Sequence, residues 1–193
     1  MGEGELRLRR LGENEIGRLA EIDMGYESRY QYNYTKGVSD LGWTLRLTLV
    51  ERAEPFVKDY DWDWQSETSA VRHARQGLLF VAESRGRLVG MAELERERWN
   101  NTMRLWSLYV DRGWRCRGVG RKLLDEAVGF ARREKRRAVF LETQNSNHPA
   151  ITFYLGYGFE LCGVNDHLYS NHDLETDEVA LFFCLTLDKK ERG

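Results

Sequence analysis

The stretch Arg115-Cys116-Arg117-Gly118-Val119-Gly120-Arg121 decides how this chain is read. Before it stands a bulky apolar run, "MRLWSLYV" (103–110); after it comes an amphipathic run, "KLLDEAVGFARREK" (122–135). A strand that enters a glycine turn and then a helix makes an anion site. The first turn of a helix has unpaired N–H groups, and the helix dipole adds about half a positive charge there. Glycine lets the backbone close on a phosphate, and arginine adds forked donors. The spacing Arg-x-x-Gly-x-Gly is not a P-loop, because no Lys-Ser/Thr ends it. It is not a dinucleotide loop either, because the third glycine is missing. Taken alone, the turn reads equally well as a basic corner with a helix cap.

Working outward, the pattern from residue 78 is sharp. "LLFVAE" is a short apolar strand, "SRGR" a turn, and "LVGMAELERER" a second strand with a charged far end. "WNNT" turns the chain into the strand "MRLWSLYV". The helix after the glycine turn spans about 118–135, with Val119, Leu123, Leu124, Ala127, Phe130 and Ala131 on one face. "RRAVFLET" is a further strand, and His148-Pro149 opens a short helix that Gly156 and Gly158 end. "FELCGVNDHLYS" and "EVALFFCLTL" read as two more strands. The order β-β-β-α-β-α-β-β predicts a mixed α and β fold, a sheet with helices across it. At the N-terminus, alternation in "LRLRR" gives way to helical spacing at Ile16, Leu19, Ala20 and Asp23. Residues 24–66 are aromatic and polar without a clean period, and read as helix and loop.

The 193 residues suit one domain of ordinary size. Hydrophobic residues make up 41% and charged residues 31%, a globular rather than a disordered balance. The 29 basic and 31 acidic residues leave a net charge of -2, which argues against nucleic-acid binding. No apolar run approaches the roughly 20 residues that span a bilayer, and the first residues show no apolar signal region, so a cytoplasmic setting is expected. Cys116, Cys162 and Cys184 fit neither a disulfide framework nor a zinc pattern. His73, His148, His167 and His172 are too scattered for a metal site.

A second motif follows the arginine–glycine turn: Asn147, Ala150, Phe153, Tyr154, Gly158 and Phe159 in "NHPAITFYLGYGF". The two motifs, in this order and on these elements, resemble the GCN5-related N-acetyltransferase (GNAT) family over about residues 78–187. The resemblance implies a mostly antiparallel central sheet flanked by helices, with acetyl-coenzyme A as cosubstrate. It implies one domain over 1–193, in which 1–77 helps to form the acceptor site. By position, Cys116, Arg117, Gly118, Val119, Gly120 and Arg121, with Arg115 before them, hold the pyrophosphate. Leu108, Tyr109 and Val110 pair with the pantetheine arm and offer an N–H to the thioester oxygen. Asn147 bonds the pantetheine. Tyr154 matches the family's general acid, a role its chemistry allows, since a phenol of pKa about 10 can protonate a leaving thiolate of pKa about 8.5. Glu142 is the first candidate for the base, with Glu93 and Glu95 as alternatives. Direct transfer is typical of the family, which leaves no covalent role for Cys116.

The acceptor is read from the acidic segments. "KDYDWDWQ" sets Asp59, Asp61 and Asp63 among aromatic residues, which attract cations. "NDHLYSNHDLETDEVALFF" carries Asp166 and Glu178. "LETQNSN", "DHLYSN" and "TDEVALFF" look like the streptothricin acetyltransferase branch, whose acceptor is a cationic antibiotic. The expected partner is therefore a small cationic amine, bound by Asp59, Asp61, Asp63, Glu93, Asp166 and Glu178. A protein N-terminal or lysine acetyltransferase and a non-catalytic acetyl-coenzyme A sensor are the competing readings. The aromatics of 24–64 are left to cover either the acceptor site or a homodimer interface.

Overall fold

The computed structural model describes residues 5–60, 64–170 and 172–187. Along the chain come β1 (Arg7–Arg10), a 3₁₀ helix (Glu13–Glu21), β2 (Tyr26–Ser39), β3 (Gly42–Lys58) and α1 (Trp64–Arg75). Then follow β4 (Leu79–Ser84), β5 (Arg87–Glu97), β6 (Thr102–Val110), a 3₁₀ turn (Arg112–Trp114) and α2 (Val119–Arg133). The last elements are β7 (Ala138–Gln144), α3 (His148–Tyr157), β8 (Glu160–Asn165), α4 (Asp173–Thr176) and β9 (Ala180–Thr186). The fold is mixed α and β with a mostly antiparallel sheet. From β4 onward the elements stand in the predicted order, except that the strand read in "FELCGVNDHLYS" ends at Asn165 and the short α4 intervenes before β9. The described residues divide into two compact units. The first runs to Gly25, from Asp59 to Phe140, and from Thr186 on; the second holds Tyr26–Lys58 and Leu141–Leu185.

In the first unit β1, β4, β5 and β6 lie side by side, each pair antiparallel. Leu11, Ile16, Leu19, Ile22 and Met24 bury against Leu79, Val81, Leu88 and Met91 of β4 and β5, with Ala70 of α1. Helix α2 buries the predicted apolar face, and its Phe130 meets Phe80 edge-on at 5.5 Å. Close approach of this helix depends on Gly90 in β5. A Cβ there would lie 3.0 Å from the Tyr109 carbonyl oxygen, 3.0 Å from Leu123 and 3.3 Å from Val119.

The second unit corrects the reading of residues 24–66. Tyr26–Lys58 is not helix and loop but a long antiparallel ribbon, with Ser39 paired to Gly42 at its tip. Register is kept from Tyr30–Glu51 to the tip. Nearer the base, Tyr26–Lys58, Glu27–Val57 and Ser28–Phe56 pair, so residues 52–55 form an irregularity on β3. Pro55 falls there, where a missing N–H breaks no ladder. The same unit holds α3, the rest of β7, and the antiparallel pair β8–β9. Gly158, at φ +112°, caps α3, whereas Gly156 lies inside the helix.

Candidate active site

The arginine–glycine turn folds as its composition demands. Gly118 is the N-cap of α2 at φ +78°, ψ 1°, a left-handed conformation that an L-residue takes only with strain. Cys116 is also left-handed, at φ 59°. Such turning lets successive N–H groups converge into anion-binding nests. No acidic residue lies in the first turn of α2 to compete for them. An ideal Cβ on Gly118 would have nothing within 4 Å, so the backbone here faces open space. A phosphate fits this geometry and this charge.

The three arginines of the turn separate into different tasks. Arg115 is a brace: its Nε donates to the Val110 carbonyl at 3.1 Å, and Nη2 donates to the Gly25 carbonyl. Burial, and then the neighbouring Arg112, push its pKa down. Its side chain therefore holds the turn rather than presenting itself to a ligand. Arg117 stacks over Trp114 at 5.4 Å, and Arg121 lies 3.5 Å from Asp125.

Strand β6, before the turn, carries a β-bulge that the sequence reading missed. Glu93 pairs with Ser107 but Leu94 pairs with Leu105, which leaves Trp106 as the extra residue. A bulge interrupts the ladder and sharpens the twist. Leu108, Tyr109 and Val110 follow it after Ser107 and are half-buried. Tyr60 packs on Tyr109 at 5.5 Å. Glu93, read as an acceptor-facing carboxylate or alternative base, is buried instead. It accepts from His73 Nδ1 at 2.6 Å and from Ser69 at 3.1 Å. His73 is itself buried, so the pair fastens α1 to β5. Glu95 lies 3.2 Å from Arg72.

In the second unit the organising residue is Asn145, which the sequence reading passed over. It is fully buried. Its backbone N–H donates to the Val179 carbonyl, and its carbonyl accepts from Tyr32, both at 3.0 Å. Its side-chain amide donates to the carbonyls of Tyr32 at 2.9 Å and Asp177 at 3.0 Å, and its Oδ1 accepts from Val179 N–H at 3.0 Å. One side chain thus stitches the end of β7, the ribbon and the approach to β9. The next residues are fixed in consequence. Ser146 bonds the Tyr26 hydroxyl at 2.9 Å, and burial pushes the Tyr26 pKa up to about 12. Asn147 is the N-cap of α3, its Oδ1 accepting from Ala150 N–H at 3.2 Å. Tyr154 is buried on α3 between Phe153 and Phe159, edge-on to both at 5.4 and 5.7 Å.

The carboxylates of this unit have partners that the sequence did not announce. Glu142 accepts from the Tyr169 hydroxyl. Asp166 accepts from His167, Lys36 and Tyr34. His167 first, and then Lys36, lower its pKa from 3.8 to about 2. Glu178 accepts from Lys58 at 2.5 Å. Asp177 accepts from Gln31 at 2.5 Å, yet burial pushes its pKa up. In the first unit Asp59 pairs with Arg112 at 2.7 Å. Asp61 and Asp63 lie outside the described residues. Tyr169, in "DHLYSN", is the aromatic partner of a candidate base, and only its place in that string marked it.

The sequence profile of the acetyltransferase (GNAT) family matches residues 43–159. The chain is similar to a streptothricin acetyltransferase of Streptomyces lavendulae, 31% identical over 169 residues, which cover 86% of this chain and 89% of that protein. It is 28% identical to streptothricin acetyltransferase A of Bacillus subtilis over 73% of this chain and 78% of that one. Among solved structures, a nourseothricin acetyltransferase superposes with a TM-score of 0.74 at 26% identity, covering 95% of this chain and 99% of its own. Profile, relatives and fold agree with the two motifs. The chain belongs to the acetyltransferase (GNAT) family and is an acetyl-coenzyme A-dependent N-acetyltransferase.

Proposed function

We propose that the acceptor is a streptothricin-type antibiotic, a small cationic amine, acetylated by direct transfer. The observation that carries this reading is the 31% identity to the Streptomyces lavendulae enzyme along 89% of its length. Acidic side chains with tyrosine neighbours support a cationic acceptor: Glu142 with Tyr169, and Asp166 with Tyr34. Glu93 has no place in this reading, because its carboxylate serves His73.

Backbone N–H groups of 116–121 hold the pyrophosphate at the start of α2. Leu108, Tyr109 and Val110, past the bulge, align the pantetheine, and an N–H there stabilises the oxyanion. Asn147 keeps its Nδ2 donor for the pantetheine, while its Oδ1 caps α3. Glu142 takes a proton from the acceptor ammonium. The free amine attacks the thioester carbonyl, a C–N bond forms, and the C–S bond breaks. Tyr154 gives its hydroxyl proton to the departing thiolate. Phe153 and Phe159, edge-on at 5.4 and 5.7 Å, restrain its ring.

Two variants test the assignment. Gly118→Glu sets a charged side chain where the pyrophosphate lies, and is expected to abolish acetyl-coenzyme A binding by calorimetry. Tyr154→Phe is expected to bind normally and to lose about 100-fold or more in kcat. Unchanged turnover in both variants would end this reading.

A further inference from the structure

The ribbon alternates with a regularity that its role as a connector does not require. Tyr30, Tyr32, Tyr34, Lys36 and Val38 on β2 stand opposite Glu51, Leu49, Leu47, Leu45 and Trp43 on β3. Paired residues share a face, so one side of the ribbon is aromatic and aliphatic. The other side carries Asn33, Thr35, Gly37 and Ser39 against Thr48, Arg46, Thr44 and Gly42. Toward the base, the apolar face is occupied: Tyr30 and Tyr32 stack on His148 of α3 at 5.4 and 6.2 Å. Toward the tip it is not. Val38, Trp43, Leu45 and Leu49 are 71, 75, 55 and 44% exposed, and Leu41 at the turn is 100% exposed.

From Thr35 to Arg46 every residue is exposed except the half-buried Gly42. A two-stranded ribbon in water is at best marginally stable. A Trp, three Leu and a Val at these exposures present about 500 Å² of apolar surface. That is at the upper end for a single chain. Two such faces together bury about 1,000 Å², the area from which specific interfaces begin.

We propose that the ribbon tip is the contact surface for a second copy of this chain, apolar face to apolar face. A self-contact is isologous, so each copy covers the patch of the other. Charge favours this occupant. Ribbon residues 26–58 carry Arg29, Lys36, Arg46, Arg52 and Lys58 against Glu27, Asp40, Glu51 and Glu54, a near balance. Lys36, on the apolar face, is already paired with Asp166 at 3.2 Å. Two identical faces therefore meet without like-charge repulsion. An anionic membrane would call for a basic rim, which the balance denies. The inference stands apart from the acceptor assignment.

Sedimentation from about 1 to about 100 µM, a range suited to an interface at the small end of specific ones, tests it. The wild type is expected to sediment as a dimer. Trp43→Asp and, separately, Leu45→Asp are expected to give monomers that keep the wild-type circular dichroism spectrum and whose melting temperature, unlike that of the wild type, does not depend on concentration. Thr44→Asp, on the polar face beside them, is expected to stay dimeric. A wild-type monomer throughout the range would overturn the proposal. So would dimers that survive both apolar-face variants, or dissociation caused equally by Thr44→Asp.

Discussion

Gly90→Ala perturbs the enzyme through one methyl group that touches no ligand. The added Cβ would sit 3.0 Å from the Tyr109 carbonyl oxygen and 3.3 Å from Val119 Cγ1, with Leu123 also at 3.0 Å. Leu123 can rotate away, but the Tyr109 oxygen is backbone and cannot. Strand β6 and the first turn of α2 must therefore move away from β5 by a few tenths of an ångström. Overpacking of this kind costs about 1–3 kcal/mol. In a chain of this size each kcal/mol lowers Tm by about 2–4 °C, so the expected fall is about 2–12 °C. Tyr109 and Val119 are also two parts of the proposed cofactor cradle. Since a 1 Å misplacement can cost about 100-fold, a few tenths should raise KM for acetyl-coenzyme A about threefold to tenfold. KM for the acceptor should hardly change. Gly156→Ala is the control, because a Cβ there meets nothing within 4 Å and lies in a helix, where Ala is favoured by about 0.5–1 kcal/mol. Calorimetric melting and steady-state kinetics read both effects. A Gly90→Ala enzyme with wild-type Tm and wild-type KM for acetyl-coenzyme A would refute the packing argument.

Asn145→Ala strands two carbonyls and an N–H that its side chain now satisfies. At about 1–3 kcal/mol for each buried group left unpaired, the loss should be at least about 3 kcal/mol in urea unfolding. Glu134→Gln concerns acid stability. Arg96 donates to Glu134 at 2.8 and 2.5 Å, and Arg136 adds a third contact; Arg96 first, they lower its pKa from 4.5 to about 2. A carboxylate whose folded pKa is depressed stabilises above its unfolded value and loses that contribution as pH falls through the folded one. The variant should be less stable than the wild type by about 1 kcal/mol at neutral pH. The difference should shrink below 4.5 and vanish as the pH falls through about 2. An equal difference at all three pH values would show that the ion pair contributes nothing.

Legibility in the sequence followed the length and purity of each pattern. Helix α2 could be read because one apolar stripe runs its whole length, and β4 to β6 because short apolar runs end in marked turns. The ribbon escaped because its alternation is written in tyrosine. Tyr30, Tyr32 and Tyr34 are amphipathic, so the period of two hid in what looked like mixed composition. Its turn, Ser39-Asp40-Leu41-Gly42, also lacks the Asn-Gly or Asp-Gly pair that marks a tight hairpin. Motifs located the backbone of the candidate site but not the partners of its side chains. Nothing local to Glu93 announces His73 from another helix, and nothing local to Arg115 announces the Gly25 carbonyl. Asn145 was invisible for the same reason: every group its side chain satisfies lies far from it in sequence.

The most direct measurement mixes the purified enzyme with acetyl-coenzyme A and streptothricin and follows the release of free thiol. The account predicts fast release that saturates in both substrates and is lost in Tyr154→Phe. Absence of release with streptothricin, while calorimetry still records acetyl-coenzyme A binding, would contradict the proposed acceptor.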